Sequence, residues 1–180
     1  MKINILSKKI LILILIVLFL LLGSIVSSSY ITKMTDFKYE YGIKVDIDNT
    51  IIENLVFKDI PIGICVWSSN NIIRNCTFIS CSDEGIILIG SNNTIENCVF
   101  YKCVDGVELQ QSSDNVFIDC RFLGNTHAGI DAIKNNNNNN IIDQCVFIDN
   151  LYGSYFSKSI KNEYIDCVFS DNYKDKGIMA

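Results

Sequence analysis

The stretch at 85–100 reads GIILIGSNNTIENCVF, and the next one, at 106–122, reads GVELQQSSDNVFIDCRF. Each begins with Gly, alternates apolar and other residues, and ends on Cys-x-Phe. The phrase recurs every 21 to 25 residues, with Phe at 57, 78, 100, 122, 147 and 169 and Gly at 42, 63, 85, 106, 129, 153 and 177. This period is typical of a solenoid, in which a repeat buries its apolar side only against neighbouring repeats.

The pattern inside each repeat favours β-strands. Apolar residues stand one and three positions after most of the Gly residues, and an apolar or aromatic residue stands five before each Phe. Gly, Asn, Asp and Ser separate these short segments, which are rich in β-branched residues. Strands of this kind stack as parallel sheets about 4.8 Å apart. A strict hexapeptide repeat and a leucine-rich spacing are both absent, so the sequence predicts an all-β, right-handed parallel β-helix of about six turns over 42–180.

The N-terminus is a separate region. Three lysines precede residues 10–22, an unbroken run of thirteen apolar residues, and small residues follow. Basic, apolar and small-residue zones in this order indicate a signal peptide at 1–29, although the run to Val26 is also long enough to serve as a membrane anchor. We expect an irregular cap at 30–41. Either leader predicts an extracytoplasmic protein, secreted or anchored at the cell surface.

The two quoted stretches resemble the repeats of NosD-like, pectate-lyase-like β-helix proteins, and the resemblance extends from Gly42 to Gly177. It implies the parallel β-helix fold. Its functional implications are broad, since such repeats occur in sugar-binding proteins, in polysaccharide lyases and hydrolases, and in surface proteins. The resemblance to NosD-like proteins also implies a role in delivering copper to a periplasmic enzyme. The family usually has Asn-Asn in the two positions before x-Phe, whereas this chain has Asn-Cys, Asp-Cys or Gln-Cys there.

Most of the cysteines occupy repeat positions. Cys76, Cys98, Cys120, Cys145 and Cys167 stand two residues before a Phe, while Cys81 and Cys103 stand three after one, where later repeats have Asn125, Asn150 and Asn172. An inward ladder of reduced thiols, disulfides and a thiolate metal site are all open alternatives. The chain has no Cys-x-x-Cys and a single His, His127, so the sequence predicts no metal site, no cofactor and no assigned disulfide.

Candidate functional residues lie between the inward positions. The second and fourth residues after each Gly are expected to face solvent, which places Glu108 and Asp131 side by side on adjacent turns. Two close carboxylates are the acid and nucleophile of glycoside hydrolases, so these two are the candidate catalytic residues, with none assigned firmly. Five residues of this face are the candidate ligand-binding set: Trp67, Glu108, Gln110, Asp131 and Tyr155.

Three further features concern partners. The net charge of −5 argues against nucleic acid. Most residues that flank a Phe form an apolar outer stripe, which predicts self-association or another partner, as does an open sheet edge at the C-terminus. The stripe contains Val56, Thr77, Ile79, Val99, Tyr101, Leu123, Val146, Ile148 and Val168. An uncleaved leader would add the membrane. The surplus residues at the six-Asn run, 135–140, are expected to bulge as a loop.

The sequence therefore predicts a non-catalytic extracytoplasmic β-helix that binds carbohydrate or another cell-surface component. The alternatives are a polysaccharide lyase or glycoside hydrolase that uses Glu108 and Asp131, and a copper-handling protein implied by the resemblance.

Overall fold

The computed structural model describes the backbone of residues 34–35, 40–132, 136–174 and 178–179. These residues belong to one compact unit, Thr32–Ala180. The predicted leader at 1–29 and most of the predicted cap at 30–41 lie outside the described residues. Within the part of the chain that is described, no helix has the length and apolarity needed to cross a membrane.

In these described ranges, twenty short strands form three sheets. Sheet A contains β1 (Met34–Thr35), β2 (Glu40–Val45), β5 (Ile62–Val66), β8 (Glu84–Leu88), β11 (Asp105–Leu109), β14 (Ala128–Ala132), β17 (Tyr152–Phe156) and β20 (Ile178–Met179). Sheet B contains β3 (Ile51–Glu53), β6 (Ile72–Arg74), β9 (Thr94–Glu96), β12 (Val116–Ile118), β15 (Ile141–Asp143) and β18 (Glu163–Ile165). Sheet C contains β4 (Val56–Lys58), β7 (Thr77–Ile79), β10 (Val99–Tyr101), β13 (Arg121–Leu123), β16 (Val146–Ile148) and β19 (Val168–Ser170).

Each turn of the chain contributes one strand to each sheet, and each strand pairs in parallel with its equivalents in the turns before and after. The antiparallel exception is β1, which pairs with the start of β2. The register follows the sequence repeat, so that Phe100 lies between Phe78 and Phe122. Sheets B and C have six strands each, which confirms the predicted parallel β-helix of about six turns.

A stack of phenylalanine rings forms the centre of the core. Consecutive rings from Phe57 to Phe169 have centroids 4.5–4.9 Å apart and planes within 5° of parallel. The recurring Gly makes room for this stack. A Cβ at Gly106 would lie 2.5 Å from the carbonyl oxygen of Gly129 and 2.6 Å from the ring of Phe122. Any larger residue there would displace backbone or ring, which explains why Gly and Phe share one period.

Asparagines, most of them buried, form two ladders along the axis. The first contains Asn71, Asn93, Asn115, Asn140 and Asn162, and the second contains Asn125, Asn150 and Asn172. In both ladders the backbone N–H of one Asn donates to the side-chain Oδ1 of the Asn in the next turn, at 2.9–3.1 Å. The ladders satisfy backbone donors at turns that sheet pairing does not reach. Asn137 of the six-Asn run is also fully buried, and it accepts from the backbone N–H of Ser112 at 2.8 Å.

The cysteines lie where the repeat predicts them. Cys103 occupies the position equivalent to Asn125, since its backbone N–H donates to Asn125 Oδ1 at 3.0 Å. All eight cysteines are free thiols, and seven of them are buried. The Cys120 thiol donates to the backbone carbonyl of Ile95 at 3.4 Å, and burial raises its pKa well above the ordinary value. The cysteines of the column therefore pack as a ladder of small, polarizable side chains.

The apolar outer stripe runs along sheet C. On each strand of this sheet the central Phe points inward and the two flanking residues point outward, as predicted. The exposed fraction is 62% for Val56 and 51% for Val168, and the residues between them are mostly half-buried. The direction of these side chains is confirmed.

Candidate functional site

The outer face of sheet A carries the residues singled out from the sequence. Glu108 on β11 and Asp131 on β14 are directly opposite each other in the parallel register, which confirms that they lie on adjacent turns. Gln110 lies next to this pair, and its Nε2 donates to Glu108 Oε1 at 3.0 Å.

The prediction that this row of side chains faces solvent is wrong for three of its members. Cys65, Ile87 and Asp131 are only 0%, 1% and 3% exposed. A second row, formed by the residue that precedes each Gly, contributes to this burial. Tyr41 and Ile62 of that row form an apolar cluster with Cys65 and Ile87, and Asp105 of the same row lies within 4.8 Å of Asp131. Counting only residues after the Gly misses these neighbours.

Asp105, His127 and Asp131 form a compact group that we call the Asp-His cluster. One ligand atom from each residue lies within 4.8 Å of the other two. His127 Nδ1 is 2.8 Å from Asp105 Oδ1 and 3.7 Å from Asp131 Oδ2. The backbone N–H of Ala128 donates to the same Asp105 oxygen at 2.7 Å, which fixes its position. His127 stands four residues before Asp131 in the sequence, and nothing in the repeat pattern indicates Asp105.

Buried acidic side chains are concentrated around this cluster. Burial raises the pKa of Asp105, although the positive charge of His127 and its hydrogen bond act in the opposite direction. Glu84, which pairs in register with Asp105, is 7% exposed. Burial and the neighbouring carboxylates of Asp83 and Glu108 raise the pKa of Glu84 to about 9. Its Oε2 has no hydrogen-bond partner among the described residues.

The aromatic members of the predicted set do not form one platform. Trp67 is 45% exposed, and Lys44 Nζ lies 5.9 Å from its ring centre. Tyr155 is half-buried and packs edge-on against Tyr152 at 5.2 Å. Their strands, β5 and β17, are four positions apart in sheet A, or about 19 Å at about 4.8 Å per strand. The two rings can contact one ligand only if that ligand is long.

A second site lies on the opposite side of the fold, where the strands of sheet B turn into those of sheet C. This corner groove is a shallow depression of about 700 Å³. It is lined by Asn75, Glu96, Asn97, Asp119, Arg121, Gln144 and Val146. Asn97 Nδ2 donates to Asn75 Oδ1 at 2.8 Å, so the first two amides are held against each other. None of these residues was predicted as a site.

Backbone geometry explains part of the groove's composition. Asn75, Asn97, Asp119 and Gln144 are equivalent in successive turns, and all have φ between 48° and 53°. Asn and Asp tolerate this left-handed conformation better than other non-glycine residues, which accounts for three of the four. The turn does not account for Gln144 or for Arg121. In the sequence, the groove is indicated by the polar residue that precedes each Cys of the repeat, in the pairs Asn-Cys, Asp-Cys and Gln-Cys.

Comparison with a family model supports the fold, and the comparisons do not identify a site. No curated protein matches this chain. A solved structure of a trypsin-treated QnrB1 variant, described as a plasmid-mediated fluoroquinolone resistance protein, is similar to it at 17% identity and a TM-score of 0.23, over 69% of this chain and 79% of that one. The family described as "right handed beta helix region" matches residues 25–180. With this match and the three parallel sheets, the chain belongs to the right-handed β-helix family.

Proposed function

We propose that this protein is a non-catalytic binding protein that acts outside the cytoplasm, and that the corner groove binds a carbohydrate chain. The observation that carries the proposal is the lining of the groove, which places amide, carboxylate and guanidinium groups from neighbouring turns along one shallow depression. Planar polar groups of this kind both donate and accept hydrogen bonds, as the hydroxyls of a sugar require.

The form of the groove favours a chain-like ligand. Its polar groups repeat from turn to turn, at about 4.8 Å, and the depression is open rather than enclosed. A polymer can follow such a row and contact several turns at once, so that weak contacts add through multivalency. Arg121 makes no ion pair with any of the described residues, and it is exposed on the outer side of β13. Its guanidinium is therefore available to hydroxyl or carboxylate groups of a glycan.

The geometry on sheet A supports a non-catalytic role. A glycoside hydrolase needs two carboxyl groups that flank the scissile bond. Glu108 and Asp131 are adjacent, but Asp131 is almost fully buried, with an exposed fraction of 3%. Asp131 is too enclosed to contact a polymer. The copper alternative depends on the resemblance alone, because Cys81 and Cys103 are buried in the core.

A panel of polysaccharides, scored for both retention and depolymerisation by the full chain, tests the proposal. We expect retention of at least one polysaccharide without release of oligosaccharides. Arg121→Gln should weaken that binding about 10-fold, the loss of one charge-assisted contact. The matched control is Arg74→Gln. Arg74 is also exposed on an outer face, but it is paired with Glu53 at 2.6 Å and is not in the groove.

Three results would count against the proposal. Release of oligosaccharides that Asp131→Asn abolishes would establish the enzyme alternative. Loss of binding in Trp67→Ala with no change in Arg121→Gln would move the site to the outer face of sheet A. No retention of any polysaccharide would exclude the carbohydrate ligand and leave a protein partner.

The apolar stripe of sheet C supports a second proposal, contact with another copy of the chain. Leu123 and Ile148 lie side by side in register on its outward face. We expect the full chain to self-associate in sedimentation velocity, and Leu123→Lys to shift it towards the monomer, because a charge would be desolvated at the contact. Ile118→Lys, on the outer side of sheet B, is the control. A monomeric wild-type protein would rule this contact out.

A further inference from the structure

Beyond carbohydrate binding, we propose that the Asp-His cluster binds one divalent transition-metal ion, with Asp105, His127 and Asp131 as its protein ligands and Zn²⁺ as the ion that fits them best. The site lies on sheet A, on a different face from the corner groove, so the two proposals are independent.

Two separations within the cluster bracket the spacing of ligands around a tetrahedral ion, and the third, between the two carboxylate oxygens, is no more than 4.8 Å. Ligand atoms about 2.0–2.1 Å from a tetrahedral centre lie about 3.3 Å from each other. His127 Nδ1 is 2.8 Å from Asp105 Oδ1 and 3.7 Å from Asp131 Oδ2, which bracket that value. Small side-chain rotations would equalise them. Three protein ligands leave the fourth position for water or for a further group, an arrangement that Zn²⁺ commonly adopts.

The backbone holds these ligands in place before any ion binds. Asp131 lies in register with Glu108 across the β11–β14 pair, and Val107 and Ile130 form the adjacent pair of the same ladder. The Ala128 N–H fixes Asp105 from the next turn. Tyr152 packs edge-on against His127 at 5.6 Å and restricts the ring. The cluster is therefore a built arrangement rather than a chance meeting of exposed chains.

A bound cation would also stabilise the buried carboxylates of this face. Asp105 and Asp131 are 6% and 3% exposed, and one oxygen of each lies within 4.8 Å of the other. Buried carboxylates crowded together are unfavourable unless a positive charge compensates them. A divalent ion bound beside the His127 imidazole would supply such a charge to both carboxylates.

The donor set selects the class of ion. Ca²⁺ and Mg²⁺ take oxygen ligands and do not use imidazole, whereas Zn²⁺ and its neighbours bind nitrogen and carboxylate oxygen together. None of the three ligands is a thiolate, so the soft-metal chemistry of the cysteine ladder is not involved.

Zn²⁺ titration of the full chain by calorimetry tests this proposal, with Co²⁺ as a spectroscopic probe. We expect one ion per chain and a Co²⁺ spectrum of tetrahedral intensity that lacks thiolate charge-transfer absorption. His127→Gln and Asp131→Asn should each weaken Zn²⁺ binding at least about 100-fold, more than the 10–100-fold typical of outer-shell changes. Asp143→Asn, a single carboxylate on the outer side of sheet B, is the matched control and should leave binding unchanged.

Circular dichroism of each variant verifies the β-helix before binding is compared, and Asp105→Asn provides a second ligand variant if one of the others fails to fold. The proposal is overturned if the wild-type chain shows no saturable Zn²⁺ binding. It is also overturned if Co²⁺ shows thiolate absorption, or if Asp143→Asn weakens binding as much as His127→Gln does.

Discussion

Phe100→Ala is expected to destabilise the β-helix by about 3–5 kcal/mol, the usual cost of removing a buried aromatic ring. Phe100 is fully buried, and its ring stacks on Phe78 at 4.8 Å and on Phe122 at 4.9 Å. Each turn contacts only its neighbours, so a cavity here weakens both interfaces of one turn in the middle of the fold. Urea denaturation followed by circular dichroism measures the loss as a lower transition midpoint.

The next residue provides a matched control. Tyr101 lies on the same strand, but its ring points outward, is 40% exposed and contacts Lys102 Nζ at 5.0 Å. Tyr101→Ala should cost less than about 1 kcal/mol, as for most surface contacts of this kind. Equal costs at the two positions would mean that the ring stack does not carry the stability of the core.

Asn115→Leu is expected to cost about 2–4 kcal/mol, even though leucine is apolar and similar in volume. Asn115 Oδ1 accepts from the backbone N–H of Asn93 at 2.9 Å, and Asn115 Nδ2 donates to Ser112 Oγ at 2.8 Å. Leucine would leave the N–H of Asn93, a residue only 1% exposed, without an acceptor. A buried polar group left unsatisfied costs about 1–3 kcal/mol, and the other lost bonds add to this.

Glu96→Leu is the comparison for this second prediction, again measured by urea denaturation. Glu96 lies at the outward end of β9 and is exposed, so the same change to leucine should shift stability by no more than about 0.5 kcal/mol. Faster hydrogen exchange at the Asn93 amide in Asn115→Leu would locate the damage at the ladder. A variant as stable as the wild type would show that the ladder is dispensable.

Most of the fold was predictable because one residue pattern controls it. Phe100 and Gly106 recur with the same period as their neighbours, and the structure shows why, since the ring needs the space that the missing Cβ leaves. The exposure of the outer face was less predictable. Alternation shows which face Cys65 and Asp131 lie on, but it does not show what lies beside them. Tyr41 and Asp105 bury them from the position before the Gly.

The candidate sites divide in the same way. The adjacency of Glu108 and Asp131 follows directly from the repeat. The Asp-His cluster also needs Asp105, and the alternation of residues along the strand does not show where Asp105 lies. The corner groove was hidden for a different reason. Asn75 and Asn97 lie in turns with positive φ, where Asn is favoured for its backbone conformation alone. Their presence in the sequence therefore does not indicate a binding site. Glu96, Arg121 and Gln144 are polar lining residues that this backbone preference does not explain.

The six-Asn run affects how the fold tolerates insertion or deletion of a codon. Counted back from Ile141, the two buried amides are the first and the fourth residue, Asn140 and Asn137. Loss or gain of one Asn codon would leave an asparagine at both of these positions, and the change in length would fall at the start of the run. A repetitive stretch of gene is prone to copying errors. The buried hydrogen bonds of Asn137 and Asn140 would be kept after such an error.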